Sequence, residues 1–120
     1  MTPAKETIKA TLTIYKNLPW SQRMLYTDAK GAPIDVSLWD AKLVVRDSLS
    51  GLVLHTFSKT LGTIILGNGR IELQIPDAAT VNAFTWLSGV GHLVLEQPGE
   101  LPKVIALFSF VVQPSTTDSP

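Results

Sequence analysis

The two histidines, His55 and His92, are the side chains best suited to chemistry at neutral pH, because imidazole serves as a metal ligand and as a general acid or base. A zinc site needs three or four ligands at suitable spacing. Neither histidine has a second histidine nearby in the sequence, and the chain contains no cysteine. Both lie on or beside apolar runs, so we predict histidines at the surface of a sheet and no metal site.

Other catalytic side chains are present without the spacing that catalysis needs. The acidic residues are scattered among turns and outward strand positions, and no Gly-x-Ser-x-Gly motif is present. Gly62, Gly67 and Gly69 surround a predicted hairpin, whereas a phosphate-binding loop lies between a strand and a helix. The sequence therefore predicts a protein that is not an enzyme and that has no catalytic residue, no cofactor and no small-molecule substrate.

The tryptophans are the strongest candidates for binding. Trp39 alternates with core positions, which predicts that it is buried, whereas Trp20 follows a proline in a predicted loop and Trp86 lies in the segment 84–88. Exposed indoles anchor protein interfaces or stack on sugars, and buried indoles fill a core. We take Trp20, Trp86 and the adjacent Leu87 as candidate interface residues, with core packing and a carbohydrate platform as the alternatives.

The elements that must position these residues repeat with a period of two rather than 3.6, as strands do. The predicted strands are residues 7–15, 39–46, 52–58, 63–67, 70–75, 92–96 and 104–112. In the first of them, Ile8, Ala10, Leu12 and Ile14 share one face and are expected to point into the core. The last is apolar at nearly every position, which predicts a strand covered on both faces.

Turn residues separate these strands. Asn68 and Gly69 both tolerate positive φ and predict a type I′ hairpin, and Ser50 with Gly51 predicts another hairpin. Asp77 is the predicted N-cap of a single helical turn. About eight short strands with at most one helical turn predict an all-β fold. We favour an antiparallel sandwich, although alternation alone does not distinguish it from a barrel.

The composition places limits on partners and organisation. The 120 residues suffice for one domain, predicted as a sandwich over residues 7–113 with a flexible arm at 1–6 and a flexible tail at 114–120. The net charge is zero, so neither nucleic acid nor a membrane surface is a predicted partner, and without a long apolar run we expect a soluble, unsecreted protein. Charged residues make up only 17%, against about 25% in ordinary domains, which predicts surface hidden against partner proteins.

The order of motifs along the chain resembles one family of bacteriophage proteins. The motifs are a first strand ending at Tyr15, the turn at 28–36, the strand 41–46, the hairpin at 50–51, the pattern 68–75 leading to 79–80, the strand 92–95 and a closing strand to Val112. Over roughly residues 10 to 113 they are similar to the immunoglobulin-like N-terminal domains of phage baseplate upper proteins and related fibre or collar adaptors.

The resemblance implies an immunoglobulin-like sandwich with a structural role. The chain would be a non-enzymatic virion protein, made in the host cytoplasm, that acts as an oligomeric adaptor or decoration subunit in a tail, baseplate, collar or fibre attachment site. Its partners would be copies of itself and other virion proteins. The alternative is a carbohydrate-binding β-sandwich module that uses exposed tryptophans, because β-sandwiches are scaffolds for many functions.

Overall fold

Alternating apolar and polar residues form eight strands and one short helix in the part of the chain that the structure, a computed structural model, describes: residues 8–49 and 51–114. The elements are β1 (Ile8–Tyr15), β2 (Trp20–Leu25), β3 (Asp40–Arg46), β4 (Val53–Ser58), β5 (Ile64–Gly67), β6 (Arg70–Ile75), α1 (Ala78–Asn82), β7 (Ser88–Glu96) and β8 (Lys103–Gln113). They form a five-stranded sheet, β1-β8-β7-β3-β4, and a three-stranded sheet, β2-β6-β5.

The inward faces of the two sheets pack into one core, so the predicted all-β sandwich is confirmed. In β6, Ile71, Leu73 and Ile75 are buried while the residues between them are partly exposed, as the alternation predicts. Phe57 and Phe110 are the largest fully buried side chains from the opposite sheet. The strand order matches strands B-E-D facing G-F-C-C′ of an immunoglobulin variable-type domain.

The first strand departs from the prediction in two ways. β1 pairs with β8 in parallel, so the sandwich is not wholly antiparallel. The reason is that β1 is followed by β2 of the other sheet, and it meets β8 as a distant partner rather than across a hairpin. Ile14 is buried as predicted and Leu12 is half-buried, but Ile8 and Ala10 are exposed, because only the second half of β1 reaches the core.

The second strand was not predicted, because its composition is polar. Trp20, Gln22 and Met24 are only half-buried, and the positions between them are exposed. Trp20 therefore begins a strand instead of lying in a loop. Trp39, predicted to be buried, is half-buried and lies just before β3.

The seventh strand is longer than predicted, because two glycines belong to it. Gly89 and Gly91 lie at buried positions of β7, and a Cβ atom on Gly91 would come 2.5 Å from the backbone oxygen of Val44 in β3. The glycines thus permit close approach of two strands rather than a turn. The segment 84–87 before β7 is an irregular connection.

The last strand is buried on one face only. Ala106, Phe108, Phe110 and Val112 are buried, whereas the residues between them are partly exposed. The prediction of a strand covered on both faces was wrong, because no described element packs on the outer side of the five-stranded sheet. An apolar outer face is left as a result.

The hairpin at Asn68 and Gly69 is confirmed, but its predicted turn type was wrong. A type I′ turn requires positive φ at both residues, and here only Gly69 has it, at 72°. Asn68 instead bridges to Asp35 in extended form. The Gly69 amide also donates to the Ile34 carbonyl at 2.7 Å, so pairing with the 26–36 loop decides the conformation of the hairpin tip.

Two glycines of the same backbone conformation allow the packing at this tip to be measured. Gly69 and Gly62 both have positive φ. A Cβ atom on Gly69 would lie 2.5 Å from the Pro33 side chain, whereas a Cβ atom on Gly62 would have no atom within 4 Å. We expect Gly62→Ala to lower the free energy of unfolding by about 1 kcal/mol through φ alone. Gly69→Ala is expected to cost about 2 kcal/mol, since overpacking adds to the same strain. Urea denaturation measures both, and equal losses would contradict the packing at Pro33.

The short helix confirms its predicted cap. The Asp77 side chain accepts a hydrogen bond from the Ala79 amide at 2.9 Å, which satisfies one of the free amides of the first turn. The predicted arm at 1–6 and nearly all of the predicted tail lie outside the described residues, as does Ser50 of the predicted hairpin. The domain boundaries therefore stay predictions.

Candidate functional site

The outer face of the three-stranded sheet is polar and its charges are paired. The Glu72 carboxylate accepts a hydrogen bond from Arg70 and lies 3.9 Å from the Arg23 Nε atom. The hydrogen bond from Arg70, with the two positive charges, holds the pKa of Glu72 below its ordinary value. This face has the character of a solvent-exposed surface.

The outer face of the five-stranded sheet is apolar at its centre. We call the aliphatic outward side chains of its three middle strands the valine face: Val44 of β3, Val90 and Val94 of β7, and Val104, Leu107 and Val111 of β8. Polar outward side chains alternate with them, because Val94 lies opposite Lys42, and Val90 lies between Arg46 and Ser109. Most of them are half-buried by their neighbours, and Val104 is exposed. His92 lies among them, opposite Leu107. The face is thus mostly aliphatic, with single polar side chains between its valines.

A shallow cleft of about 400 Å³ follows the line between β3 and β7 on this face. Asp40 and Glu96 lie opposite each other at one end of the cleft, and Arg46 lines it at the other end. Lys42 lies between them, opposite Val94. The cleft is therefore lined by aliphatic and polar side chains together, with two carboxylates at one end, Lys42 and His92 along its length and Arg46 at the other end.

The first predicted interface residue, Trp20, is tied into the core. Its Nε1 atom donates a hydrogen bond to the Thr13 carbonyl at 2.9 Å. Its ring lies 5.9 Å from Phe57 and 6.1 Å from Phe110. Because Trp20 is half-buried and hydrogen-bonded to β1, it links the two sheets.

The other two predicted interface residues lie in the connection before β7. Trp86 packs on Phe84 with ring centroids 4.9 Å apart, and its buried Nε1 atom has no hydrogen-bond partner among the described residues. Leu87 is 72% exposed. The structure thus leaves Leu87 free for contact and gives both indoles packing partners, while their role in an interface stays a prediction.

The two histidines differ in position. His92 lies on the outer face of its sheet, as predicted, whereas His55 lies opposite the buried Val45 and faces inward. The His55 ring packs between Phe57 and Phe84 at 4.7 and 5.1 Å, and its Nε2 atom is buried without a partner among the described residues. This burial lowers the pKa of His55, because a charged imidazole is poorly solvated there.

His55 is expected to make the stability of the fold depend on pH. The unfolded chain binds a proton with an ordinary His pKa of about 6.5, whereas the folded chain binds it only at lower pH. The free energy of unfolding should therefore fall as pH decreases below about 6.5. Urea denaturation from pH 7.5 to 5.5 measures this slope for the wild type and for His55→Phe. The variant should show a smaller slope, and equal slopes would contradict the assignment.

The valine face was missed by sequence reasoning, although a signal was present. In the segment 104–112, most residues that point to either face of the sheet are apolar. This pattern predicted a strand buried on both faces, whereas β8 is buried on one face and has an apolar outer face. Val90 lies just before the predicted strand 92–96, so it was not counted as a strand residue. The low charge content was consistent with such a surface but gave no position for it.

Over residues 8–49 and 51–114 the structure brings together no three His, Cys, Asp or Glu side chains that could hold a metal ion. No helix in the same ranges is long and apolar enough to cross a membrane. Neither the comparison with family models nor the comparison with curated proteins finds a match for this chain.

Proposed function

We propose that this protein is a non-enzymatic structural subunit of a bacteriophage virion, acting as an oligomeric adaptor or decoration protein. The observation that carries the proposal is the valine face. An apolar centre of this kind is expected where a partner covers the sheet, since monomeric proteins rarely expose large contiguous apolar patches. A subunit that is surrounded by neighbours in a particle has such partners on several sides.

Exposed apolar side chains outside the sheet add to this support. Large hydrophobic residues protrude from loops and strand ends at several places around the molecule: Leu25, Leu38, Leu52, Leu61, Leu87 and Leu101. Single exposed leucines are ordinary, but this number in a chain with only 17% charged residues favours a crowded environment. The motif order that resembles phage adaptor domains supplies the particular assembly, a virion.

The cleft of the valine face fits a role in contact better than a role in chemistry. Aliphatic side chains make up much of its lining, Lys42 and His92 lie among them, and the other charged groups lie at its ends. Protein interfaces share this arrangement of an apolar centre with a polar rim. The proposal therefore assigns the cleft to a protein partner.

The proposal predicts that the chain is a component of purified phage particles. Particles from a lysate of the host that carries the gene are banded on a density gradient and digested for mass spectrometry. Peptides of this chain should peak in the same fractions as the major capsid and tail proteins, in constant ratio to them. As a control, an abundant host protein should not follow that profile. Infectious particles that lack the chain would contradict the proposed function.

The carbohydrate-binding alternative depends on the tryptophans. It needs an indole with an open face, whereas both candidate indoles are half-buried against aromatic neighbours. A glycan array separates the two functions, because a sugar-binding module should give hits that quench tryptophan fluorescence and a virion adaptor that contacts only protein should give none.

A further inference from the structure

We propose that the valine face is the contact between two copies of this chain, packed face to face. The inference deepens the proposed function and rests on it only for the expectation that the chain acts in several copies. The surface itself supplies the argument for a second copy, through its apolar centre, its polar rim, its charges and its area.

The molecule contains its own comparison for the apolar centre. Both sheets have an outer face, and the outward residues of the central strand β6 are Arg70, Glu72 and Gln74. The outward residues of the central strand β7 are Ser88, Val90, His92, Val94 and Glu96. Two faces of the same fold thus differ in composition, because only the central strand of the second carries outward aliphatic side chains that a protein partner can cover.

The edge strands surround this centre with polar side chains. On β1 the outward residues beside β8 are Lys9, Thr11 and Thr13, and on β4 those beside β3 are Thr56 and Ser58. An apolar centre with a polar rim is the anatomy of a protein interface. The rim also sets the limits of the contact, because the outward residues of both edge strands are polar and can stay in water.

The charges at the two ends of the cleft, Asp40 and Glu96 at one and Arg46 at the other, are complementary to a second copy of themselves. Asp40 and Arg46 lie at opposite ends of β3, with Leu43 midway between them. In a face-to-face pair whose two-fold axis crosses the strands near Leu43, Asp40 of each copy meets Arg46 of the other. An axis parallel to the strands would instead bring the two acidic ends together. Because like charges repel and opposite charges attract, the first arrangement is favoured.

The area of the face sets the expected strength of the contact. For the whole five-stranded sheet, valine face and polar rim together, five strands spaced about 4.8 Å apart and seven residues of about 3.3 Å give about 550 Å² per copy, of which the three strands of the valine face supply about 330 Å². The two copies together would bury about 1,100 Å², below the standard size of about 1,600 Å² and within the range of weak specific interfaces. We therefore expect a dimer that forms at micromolar or higher concentration and is strengthened when many copies are held in one assembly.

Sedimentation equilibrium of the purified chain between about 1 μM and 1 mM, a range spanning weak association, tests the inference. The wild type should show a concentration-dependent change from monomer to dimer. Val94→Glu adds a charge to the valine face opposite Lys42, and Ile65→Lys adds one to the other outer face opposite Glu72. We expect Val94→Glu to raise the dissociation constant at least tenfold and Ile65→Lys to leave it unchanged, with urea denaturation confirming that both variants fold.

A charge exchange tests the orientation of the two copies. Arg46→Glu and Asp40→Lys should each weaken self-association, because each places like charges together at both contacts of the two-fold pair. An equimolar mixture should associate as strongly as the wild type, since both contacts then join opposite charges. A mixture that does not recover would overturn the proposed arrangement.

Two further outcomes would overturn the inference itself: a wild type that is monomeric at 1 mM, or a dimer that Val94→Glu does not weaken. Neither outcome bears on whether the chain is found in particles. A monomer that is nevertheless a component of virions would keep the proposed function and give the valine face to a different virion protein. A dimer that is absent from virions would keep the valine face as a contact between two copies and contradict the proposed virion function.

Discussion

Phe110→Ala is expected to lower the free energy of unfolding by about 3–5 kcal/mol, the largest loss expected from any single substitution considered for this protein. Phe110 is fully buried and stacks on Phe57 with ring centroids 6.0 Å apart. It also contacts Trp20 and Phe108, at 6.1 and 6.3 Å between centroids. Removal of the ring leaves a cavity between the two sheets that these aromatic neighbours cannot close without losing their own packing.

Urea denaturation at a concentration that keeps the chain monomeric measures this loss. Val111→Ala is the matched control, because Val111 is the next residue of β8 and points to the outer face, where it is half-buried. The control should lose about 1 kcal/mol or less, since water already reaches that side chain. Similar losses in the two variants would mean that Phe110 does not lie in the core.

Gly91→Ala is expected to have the second largest effect, a loss of about 3 kcal/mol, which is at the upper end of ordinary overpacking. A methyl group on Gly91 would come 2.5 Å from the Val44 carbonyl oxygen and 3.0 Å from the Leu43 Cδ2 atom. The nearest of these atoms is backbone of the neighbouring strand, which cannot rotate aside as a side chain does. Strands β3 and β7 must therefore separate locally, at the centre of the larger sheet.

Gly67→Ala is the control for this substitution, because Gly67 also lies in a strand and a Cβ atom there would meet Arg70 at an ordinary 3.7 Å. It should change the free energy of unfolding by less than about 1 kcal/mol. Hydrogen exchange adds a local measurement, since amides of β3 and β7 should exchange faster in Gly91→Ala than in the wild type. Unchanged exchange in these strands would contradict the close approach of β7 to β3.

The parts of the fold that were predictable from the sequence are those in which the residues of one segment alone indicate its structure. In β6, Ile71, Leu73 and Ile75 alternate with polar residues and are buried. The Asp77 cap is also a local feature, because its hydrogen bond reaches only two residues along the chain. Patterns of this length determine the structure by themselves, so no knowledge of distant partners is needed.

The parts that were not predictable depend on partners far away in the sequence. Gly91 resembles a turn residue until β3 is placed against it, and Asn68 suits positive φ until it bridges to Asp35. The strand that begins at Trp20 lacks a clear alternation of apolar and polar residues, so the sequence does not identify it as a strand. Its inward side chains are only half-buried, and one of them is the polar Gln22. In each case a tertiary contact determines the conformation instead of the local sequence.

The candidate site shows the same division. Tryptophans attract attention in a sequence because indoles anchor many interfaces, but Trp20 and Trp86 have packing partners in the aromatic core. Valines are not chosen as candidate interface residues, because they are the ordinary residues of buried strands. Only the sheet order shows that Val90 and Val94 lie side by side with outward residues of β3 and β8.

The parallel pairing of β1 with β8 has a consequence for the order in which the fold is made. Ile8 pairs opposite Ala106, so the first strand of the domain needs the last one as its partner. During synthesis on the ribosome, β1 leaves the exit tunnel before the other strands of the domain. Its backbone donors and acceptors stay exposed to water until β8, the strand that pairs with it, has also left the tunnel. Such long-range closure slows folding and prolongs the time in which an unpaired strand can join the wrong neighbour. A nascent chain tethered just after β7 should therefore leave β1 open to proteases, and release of β8 from the exit tunnel should protect both strands together.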